Sequence, residues 1–184
     1  MQIRPLAIPD VLLLRPAAVM DQRGWVSVIY DEAAFTAAGI ASRFTQDMII
    51  YADKPGTVRG LRYQLAPKAQ ATLMRVLRGQ AFAVAIDLRR PSPHFGRAVT
   101  QPLSYMDGAS LYVPEGFATG WCSTAAATEM LVRTSVADDA GLVRGLNWRD
   151  PALGIDWPVK AADAIISVAD IDQPMLADQP DLFD

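Results

Sequence analysis

Residues 80–88 alternate in side-chain size at every second position, and this pattern restricts the fold more than any other feature of the chain. One face carries large apolar side chains and the other carries small ones, namely Phe82, Val84, Ile86 and Leu88 against Ala81, Ala83, Ala85 and Asp87. Alternation of this kind predicts a β-strand. Because the second face is small rather than polar, it suits a barrel interior or a cavity wall better than open water.

Strand patterns also dominate the neighbouring sequence. Residues 73–77 form a second strand candidate that precedes residues 80–88, and Gly79 between them predicts a tight hairpin turn. Residues 109–113 and 130–136 predict further strands, whereas a helix pattern is confined to residues 31–39. Many short strands separated by Gly and Pro turns indicate a β-sandwich or barrel, and we expect a single domain over residues 1–184.

The last 30 or so residues have a different composition. They contain several Xaa-Pro pairs, which predict loops and short helical turns wrapped around the body. From about residue 178 to Asp184 the chain is acidic, and we expect this tail to be loosely packed.

Composition and charge argue against several classes of function. The formal net charge is −3, so there is no basic surface for nucleic acid. Cys122 is the only cysteine and His94 the only histidine, which argues against disulfides and against a histidine- or cysteine-based metal site. We expect Cys122 to be a buried apolar residue and His94 a loop residue. No cofactor is expected.

Targeting and membrane signals are also missing from the sequence pattern. The apolar stretch at residues 11–14 is too short for a signal peptide, and no segment approaches the ~18 apolar residues of a membrane span. We therefore expect a cytoplasmic protein without membrane contact.

Ten segments in order resemble one known family. They are residues 21–25 (DQRGW), 44–47 (FTQD), 59–64 (RGLRYQ), 69–73 (AQATL), 79–89 (GQAFAVAIDLR), 92–96 (SPHFG), 114–118 (PEGFA), 147–151 (NWRDP), 155–158 (IDWP) and 167–170 (SVAD). In sequence and spacing they are similar to the dTDP-4-dehydrorhamnose 3,5-epimerases. This resemblance covers almost the whole chain and implies an all-β, cupin-type jelly roll with short peripheral helices, working as a homodimer.

The resemblance also identifies where catalytic groups are expected. Family members use a histidine base, a lysine that stabilises the enolate oxygen and a tyrosine acid, and these positions are Arg62, Thr72 and Val132 in this chain. A second family histidine corresponds to Thr119. An arginine stays protonated at neutral pH, threonine carries no charge, and valine has no proton to give. The residues therefore predict that standard epimerisation is lost.

The positions that hold the ligand in the family are only partly retained. The resemblance implies phosphate contacts for Arg23 and Arg59, and nucleotide-sugar contacts for Gln46 and Asp47. Together with Arg62 and Thr119 these form the candidate substrate-binding set. Other charged family positions are valines in this chain, at Val28, Val143 and Val168.

The aspartate that orients the family's histidine corresponds to Asp170. We expect a buried ion pair between Asp170 and Arg62, because neither charge would be tolerated alone in a barrel interior.

Three functions remain open from the sequence. The first is a protein that binds a nucleotide-diphosphate sugar, or a similar anionic ligand, without epimerase activity. The second is an epimerase or isomerase with rearranged residues, in which Arg62 stabilises the enolate and the acids and bases come from Tyr63, Asp138, Asp139 and Asp170. The third is a dimeric interaction module, which the valine substitutions favour.

Overall fold

The computed structural model describes residues 1–40 and 43–184, and its architecture is a sandwich of two antiparallel sheets. The strands are β1 (Gln2–Pro5), β2 (Leu12–Arg15), β3 (Ala18–Asp21), β4 (Gly24–Ser27), β5 (Gln46–Ala52), β6 (Val58–Gln64), β7 (Thr72–Arg78), β8 (Gln80–Asp87), β9 (Ala98–Ser104), β10 (Ser110–Val113), β11 (Phe117–Ser123), β12 (Thr128–Thr134) and β13 (Val143–Gly145). One sheet has the order β1-β2-β10-β7-β12-β5 and the other β13-β6-β11-β8-β9, while β3 and β4 pair as a separate hairpin. The expected all-β jelly roll is confirmed.

The interior between the two sheets receives the small face of β8. Ala81, Ala83 and Ala85 lie in the central apolar cluster with Met74 and Met130 of the opposite sheet. Small side chains here let the sheets approach closely, as the alternation pattern predicted. The large face of β8 points outward.

A second apolar cluster covers that outward face. Val84, Ile86 and Leu88 pack with Leu153, Leu182 and Phe183 from the C-terminal part of the chain. The five-stranded sheet is therefore buried on both faces, which explains why β8 has no polar face.

The turn at Gly79 differs from the hairpin expected from sequence. The strands β7 and β8 exist on either side of it, but they belong to different sheets and do not pair with each other. Gly79 has φ +77°, and Thr128 lies close to where a Cβ would stand. The chain thus crosses from one sheet to the other at this glycine. The local pattern could not show this, because side-chain alternation does not specify a strand's partner.

The expected short helix is present as α1 (Glu32–Ala37). The Asp31 side chain accepts a hydrogen bond from the Ala34 N–H, and Gly39 follows the helix at φ +80°. These are the start and stop signals on which the expectation rested.

The C-terminal part wraps the body with 3₁₀ turns at Pro151–Leu153 and Leu176–Asp178 and a short helix α2 (Val168–Ile171), as expected. The tail from residue 178 is not loose, however. The Tyr63 hydroxyl donates to the Asp181 carbonyl at 2.5 Å, and the Gln179 side chain is buried and donates to the Gly145 carbonyl. Phe183 exchanges backbone hydrogen bonds with the segment that follows β8. The apolar residues Leu182 and Phe183 outweigh the acidic composition on which the expectation depended.

Three further observations bear on function. No helix within the described residues is long and apolar enough to cross a membrane. Among those same residues, no group of three or more His, Cys, Asp and Glu side chains is arranged to hold a metal ion. Cys122 is fully buried, as predicted, and burial raises the pKa of its thiol to about 11.

Candidate functional site

A cavity of about 640 Å³ opens between the two sheets. Its apolar walls come from both of them: Met74 and Val132 from the six-stranded sheet, and Phe117 and Trp121 from the five-stranded sheet. Polar side chains line the rest, and the segment around Ser167 contributes from the C-terminal wrap. A cavity of this volume, lined by both apolar and polar side chains, has the character of a small-molecule site.

The structure brings together most of the site residues predicted from sequence. Arg62, Thr72 and Val132, the three positions for which the resemblance implies catalytic groups in the family, all line this cavity, as do Arg59, Thr119 and Asp170. The register explains the grouping: Thr119 of β11 lies opposite Arg62 of β6. On the other sheet, Val132 and Thr134 of β12 lie opposite Met74 and Thr72 of β7.

Arg62 has a different partner from the one expected. Its guanidinium lies 3.8 Å from an Asp138 carboxylate oxygen, whereas Asp170 accepts a hydrogen bond from the Ser167 hydroxyl at 2.9 Å. The predicted buried Arg62–Asp170 pair is therefore wrong. The Arg62 side chain is 54% exposed and Asp138 44% exposed, so burial does not force either charge into a tight pair. Asp170 lies in the first turn of α2, where its backbone N–H also donates to Ser167.

Asp138 is held from its other side. The Gln70 side-chain amide donates to its second carboxylate oxygen at 2.9 Å and to the Val136 carbonyl at 2.8 Å. Gln70 and Thr134 were not singled out from sequence. Thr134 had a detectable signal, because it stands two residues after Val132 and so shares its face of the strand. Gln70 had no such signal in the sequence, because its role depends on contacts with Val136 and Asp138, which are far from it along the chain.

Two other arginines line the cavity with different degrees of restraint. Arg59 lies opposite Trp121 and donates one hydrogen bond, to the Tyr51 carbonyl at 3.1 Å. Arg144 is tied down: its Nε lies 2.6 Å from Asp181, and its terminal nitrogen donates to the Gly141 and Val143 carbonyls. Arg59 is therefore the freer of the two.

Three members of the predicted binding set do not line the cavity. Gln46 lies at its edge, where its side-chain oxygen is 3.4 Å from the Thr134 hydroxyl. Asp47 points to the outer face of β5 and pairs with Arg133 at 3.0 Å. Arg23 lies in the turn between β3 and β4 and pairs with Asp21, whose pKa it lowers.

Two of the alternative acid–base candidates are engaged elsewhere. The Tyr63 hydroxyl donates its hydrogen bond to the Asp181 carbonyl, and burial raises the pKa of the tyrosine well above its ordinary value. Asp139 pairs with Lys68 at 2.7 Å, which lowers the pKa of the carboxyl. Asp138 and Asp170 are the carboxylates that line the cavity among the residues that the structure describes.

Comparisons with known proteins agree on one family. The family model for dTDP-4-dehydrorhamnose 3,5-epimerase matches residues 5–178. The dTDP-4-dehydrorhamnose 3,5-epimerase of Sinorhizobium fredii is 39% identical over 183 residues, covering 100% of this chain and 93% of the relative.

Solved structures of the same class share the fold. The Bacillus anthracis dTDP-4-dehydrorhamnose 3,5-epimerase with TDP and PPi bound has a TM-score of 0.91 and 33% identity, over 95% of this chain and 98% of that one. The Legionella pneumophila dTDP-6-deoxy-D-glucose-3,5-epimerase in complex with dTDP-4-keto-L-rhamnose has a TM-score of 0.90 and 29% identity, over 96% and 93%. The resemblance carried by the ten sequence segments is confirmed, and the chain belongs to the dTDP-4-dehydrorhamnose 3,5-epimerase family.

Proposed function

We propose that this protein binds a nucleotide-diphosphate sugar in the cavity between its sheets and does not catalyse standard 3,5-epimerisation. The observation that carries the proposal is that Arg62, which the resemblance places at the position of the family's base, lines the cavity. A base must accept a proton near neutral pH, and arginine stays protonated there. His94, the only histidine, lies in the loop between β8 and β9 and does not line the cavity.

The two remaining family roles also lack suitable groups. Thr72 lines the cavity at the lysine position, where it offers a hydroxyl but no positive charge for an enolate oxygen. Val132 lines it at the tyrosine position and is apolar. Because none of these three cavity positions holds the group that the resemblance implies, they support binding without standard catalysis.

Binding of a diphosphate is supported by the arginines and by the solved relatives. Among the residues that the structure describes, the Arg59 side chain donates only to the Tyr51 carbonyl, and a guanidinium matches the geometry of phosphate oxygens. The Bacillus anthracis relative was solved with TDP and PPi, and the Legionella pneumophila relative with dTDP-4-keto-L-rhamnose. We extend that ligand class to this chain, leaving the nucleobase open because Val143 lines the cavity where the resemblance implies a charged residue.

The test is solvent-deuterium exchange into dTDP-4-keto-6-deoxyglucose, followed by NMR at neutral pH. We expect saturable changes in the ligand signals without deuterium at C3 or C5 above the protein-free control. Deuterium at either carbon would show that the cavity contains a working base and would overturn the loss of catalysis. Absence of both exchange and binding would favour the interaction module instead.

One observation favours an epimerase with rearranged residues as a second candidate. Asp138 and Asp170 line the same cavity as Arg62, so two carboxylates and a cation face a common space. In that mechanism a carboxylate would remove the proton and Arg62 would stabilise the enolate. Exchange that disappears in Asp138→Asn or Asp170→Asn would establish this alternative.

We further propose a homodimer, because the β3–β4 hairpin is apolar on both faces. Val19 pairs with Val26 on one face and Met20 with Trp25 on the other, and all four side chains are exposed. Arg23 lies in this hairpin, outside the lining of its own cavity, so its predicted phosphate contact requires the hairpin to reach the cavity of a second copy.

We also propose a cytoplasmic location, consistent with a single buried thiol.

A further inference from the structure

Arg62 has hydrogen-bonding capacity that the protein does not use. A guanidinium carries five N–H donors. Within the part of the chain that the structure describes, Arg62 makes one long contact, 3.8 Å to Asp138, and donates no hydrogen bond from its side chain. Asp138 does not depend on that contact, because Gln70 donates to its other oxygen at 2.9 Å. A ligand can therefore engage Arg62 without leaving Asp138 unsatisfied.

The surroundings of Arg62 supply hydroxyl groups. Thr119 lies opposite it on β11, and Thr72 lies across the cavity on the other sheet. Thr72 is 7% exposed and lines the cavity. A threonine that lines a cavity can offer its hydroxyl to a polar ligand, as donor or acceptor.

The charges of the cavity also leave Arg62 available. Arg144 is paired with Asp181, and the two carboxylates that line the cavity, Asp170 and Asp138, accept hydrogen bonds from Ser167 and Gln70. In the proposed function the diphosphate is bound through Arg59. Arg62 follows it by three residues, and both arginines line the cavity at a place where the pairing with β11 shifts its register. A free guanidinium next to the diphosphate contact suits a further negative group on the same ligand.

We propose that Arg62 makes the cavity selective for a nucleotide sugar whose hexose carries a carboxylate. This inference rests on the proposed function, since it adds a second anionic contact to the nucleotide-sugar site. The Arg62 guanidinium donates two parallel hydrogen bonds to the carboxylate, and the threonine hydroxyls contact its oxygens or the neighbouring sugar hydroxyls. Arginine at this position therefore recognises the negative charge of the ligand and does not remove a proton from it.

The test compares two ligands that differ only at C6, glucose and glucuronate, each as its dTDP and its UDP derivative. Calorimetric titration of the unmodified chain should show roughly tenfold or tighter binding of the glucuronate derivative. In Arg62→Gln the preference should disappear, and in Arg62→Lys it should be reduced, because lysine keeps the charge but cannot form the two parallel bonds. Arg97→Gln, which removes an exposed arginine outside the cavity lining, should keep the full preference.

The outcomes separate this inference from the proposed function. Equal binding of both sugars, or a glucuronate preference that survives Arg62→Gln, overturns the carboxylate contact and leaves nucleotide-sugar binding intact. Failure of all four ligands to bind overturns both. Circular dichroism of each variant shows whether a lost preference reflects lost folding, and the Arg62→Lys variant provides a second measure that preserves the charge.

Discussion

Arg62 and Asp87 are both charged side chains within a small sandwich of sheets, and their surroundings are opposite. Asp87 is fully buried and accepts hydrogen bonds from the Arg89 side chain at 2.7 Å and the Ser92 hydroxyl at 2.6 Å. Arg62 is half exposed to the cavity and has one long contact. A buried charge must be satisfied by the protein, whereas a charge in a cavity can be kept for a ligand. Asp87 therefore contributes to stability, whereas the proposed function assigns Arg62 to binding.

The first prediction at this scale concerns the catalytic positions. Because Arg62, Thr72 and Val132 line one cavity, the combined variant Arg62→His, Thr72→Lys and Val132→Tyr places a base, a cation and an acid on the same surface. We expect deuterium exchange into dTDP-4-keto-6-deoxyglucose at least 100-fold above the unmodified chain, on the order of a general-base contribution. The control is Thr72→Lys with Val132→Tyr, which still lacks a base and should show no gain. Equal exchange rates in both variants would contradict the assignment of position 62.

The second prediction concerns Asp87 and pH. Burial acts to raise the pKa of Asp87, but hydrogen bonds from Arg89 and Ser92 outweigh it, and the pKa lies below its ordinary value. A lowered pKa stabilises the fold at pH values above the unfolded-state pKa of about 3.9, and this contribution is lost as the pH falls through the folded-state value. Asp87→Asn should lower the free energy of unfolding by about 3 kcal/mol at pH 7, and the difference from the unmodified chain should narrow on acidification.

Urea unfolding at pH 7 and at acidic pH measures both effects. A matched control is Asp10→Asn, because Asp10 pairs with the same Arg89 at 2.8 Å but is half exposed. Its loss should cost under about 1 kcal/mol. A constant gap between Asp87→Asn and the unmodified chain at every pH would show that packing, and not charge, accounts for the effect.

Elements of structure were predictable from sequence where the information is local. Alternation identified β8, and the capping residues Asp31 and Gly39 identified α1. Connections between elements were not predictable in the same way, since Gly79 resembles a hairpin turn but joins two sheets. The prediction of an Arg62–Asp170 ion pair was wrong for a related reason. It assumed that both side chains are buried, and their burial depends on how far the two sheets separate around the cavity.

The C-terminal segment carries the prediction at this scale. A chain ending at Asp178 loses the Gln179 bond to Gly145 and leaves the buried Tyr63 hydroxyl without the Asp181 carbonyl. It also uncovers the apolar cluster against which Leu182 and Phe183 pack. We expect a loss of roughly 3 to 5 kcal/mol in unfolding free energy, measured by urea denaturation.

The control for this truncation removes Asp184 alone. Its side chain is 93% exposed and lies 3.4 Å from Arg90, so its loss should cost under about 1 kcal/mol. If the longer truncation were as stable as this control, the segment would be the loose tail that its acidic composition suggested.

At the scale of the whole molecule, one group of exposed apolar side chains lies on a single hairpin, at Val19, Met20, Trp25 and Val26. The hairpin of β3 and β4 pairs with neither large sheet, and an isolated two-stranded hairpin is marginally stable in water. Ile49 and Tyr51 add exposed apolar area on the outer face of β5. An exposed apolar patch marks an interface, and in the proposed homodimer a second copy of the chain covers this surface with the symmetry that most oligomers have.

Substitution of Val26 tests this arrangement. Val26 is 71% exposed and faces Val19 across the hairpin, so Val26→Lys would place an unpaired charge in the proposed interface. Light scattering during gel filtration should give twice the 20.0 kDa chain mass for the unmodified protein and a shift toward one chain mass for the variant. Thr100→Lys adds the same charge on β9, the edge strand of the other sheet, and should remain a dimer. A monomeric unmodified protein at micromolar concentration would contradict the dimer. The phosphate contact predicted for Arg23 would then have no structural basis, because Arg23 does not line the cavity of its own chain.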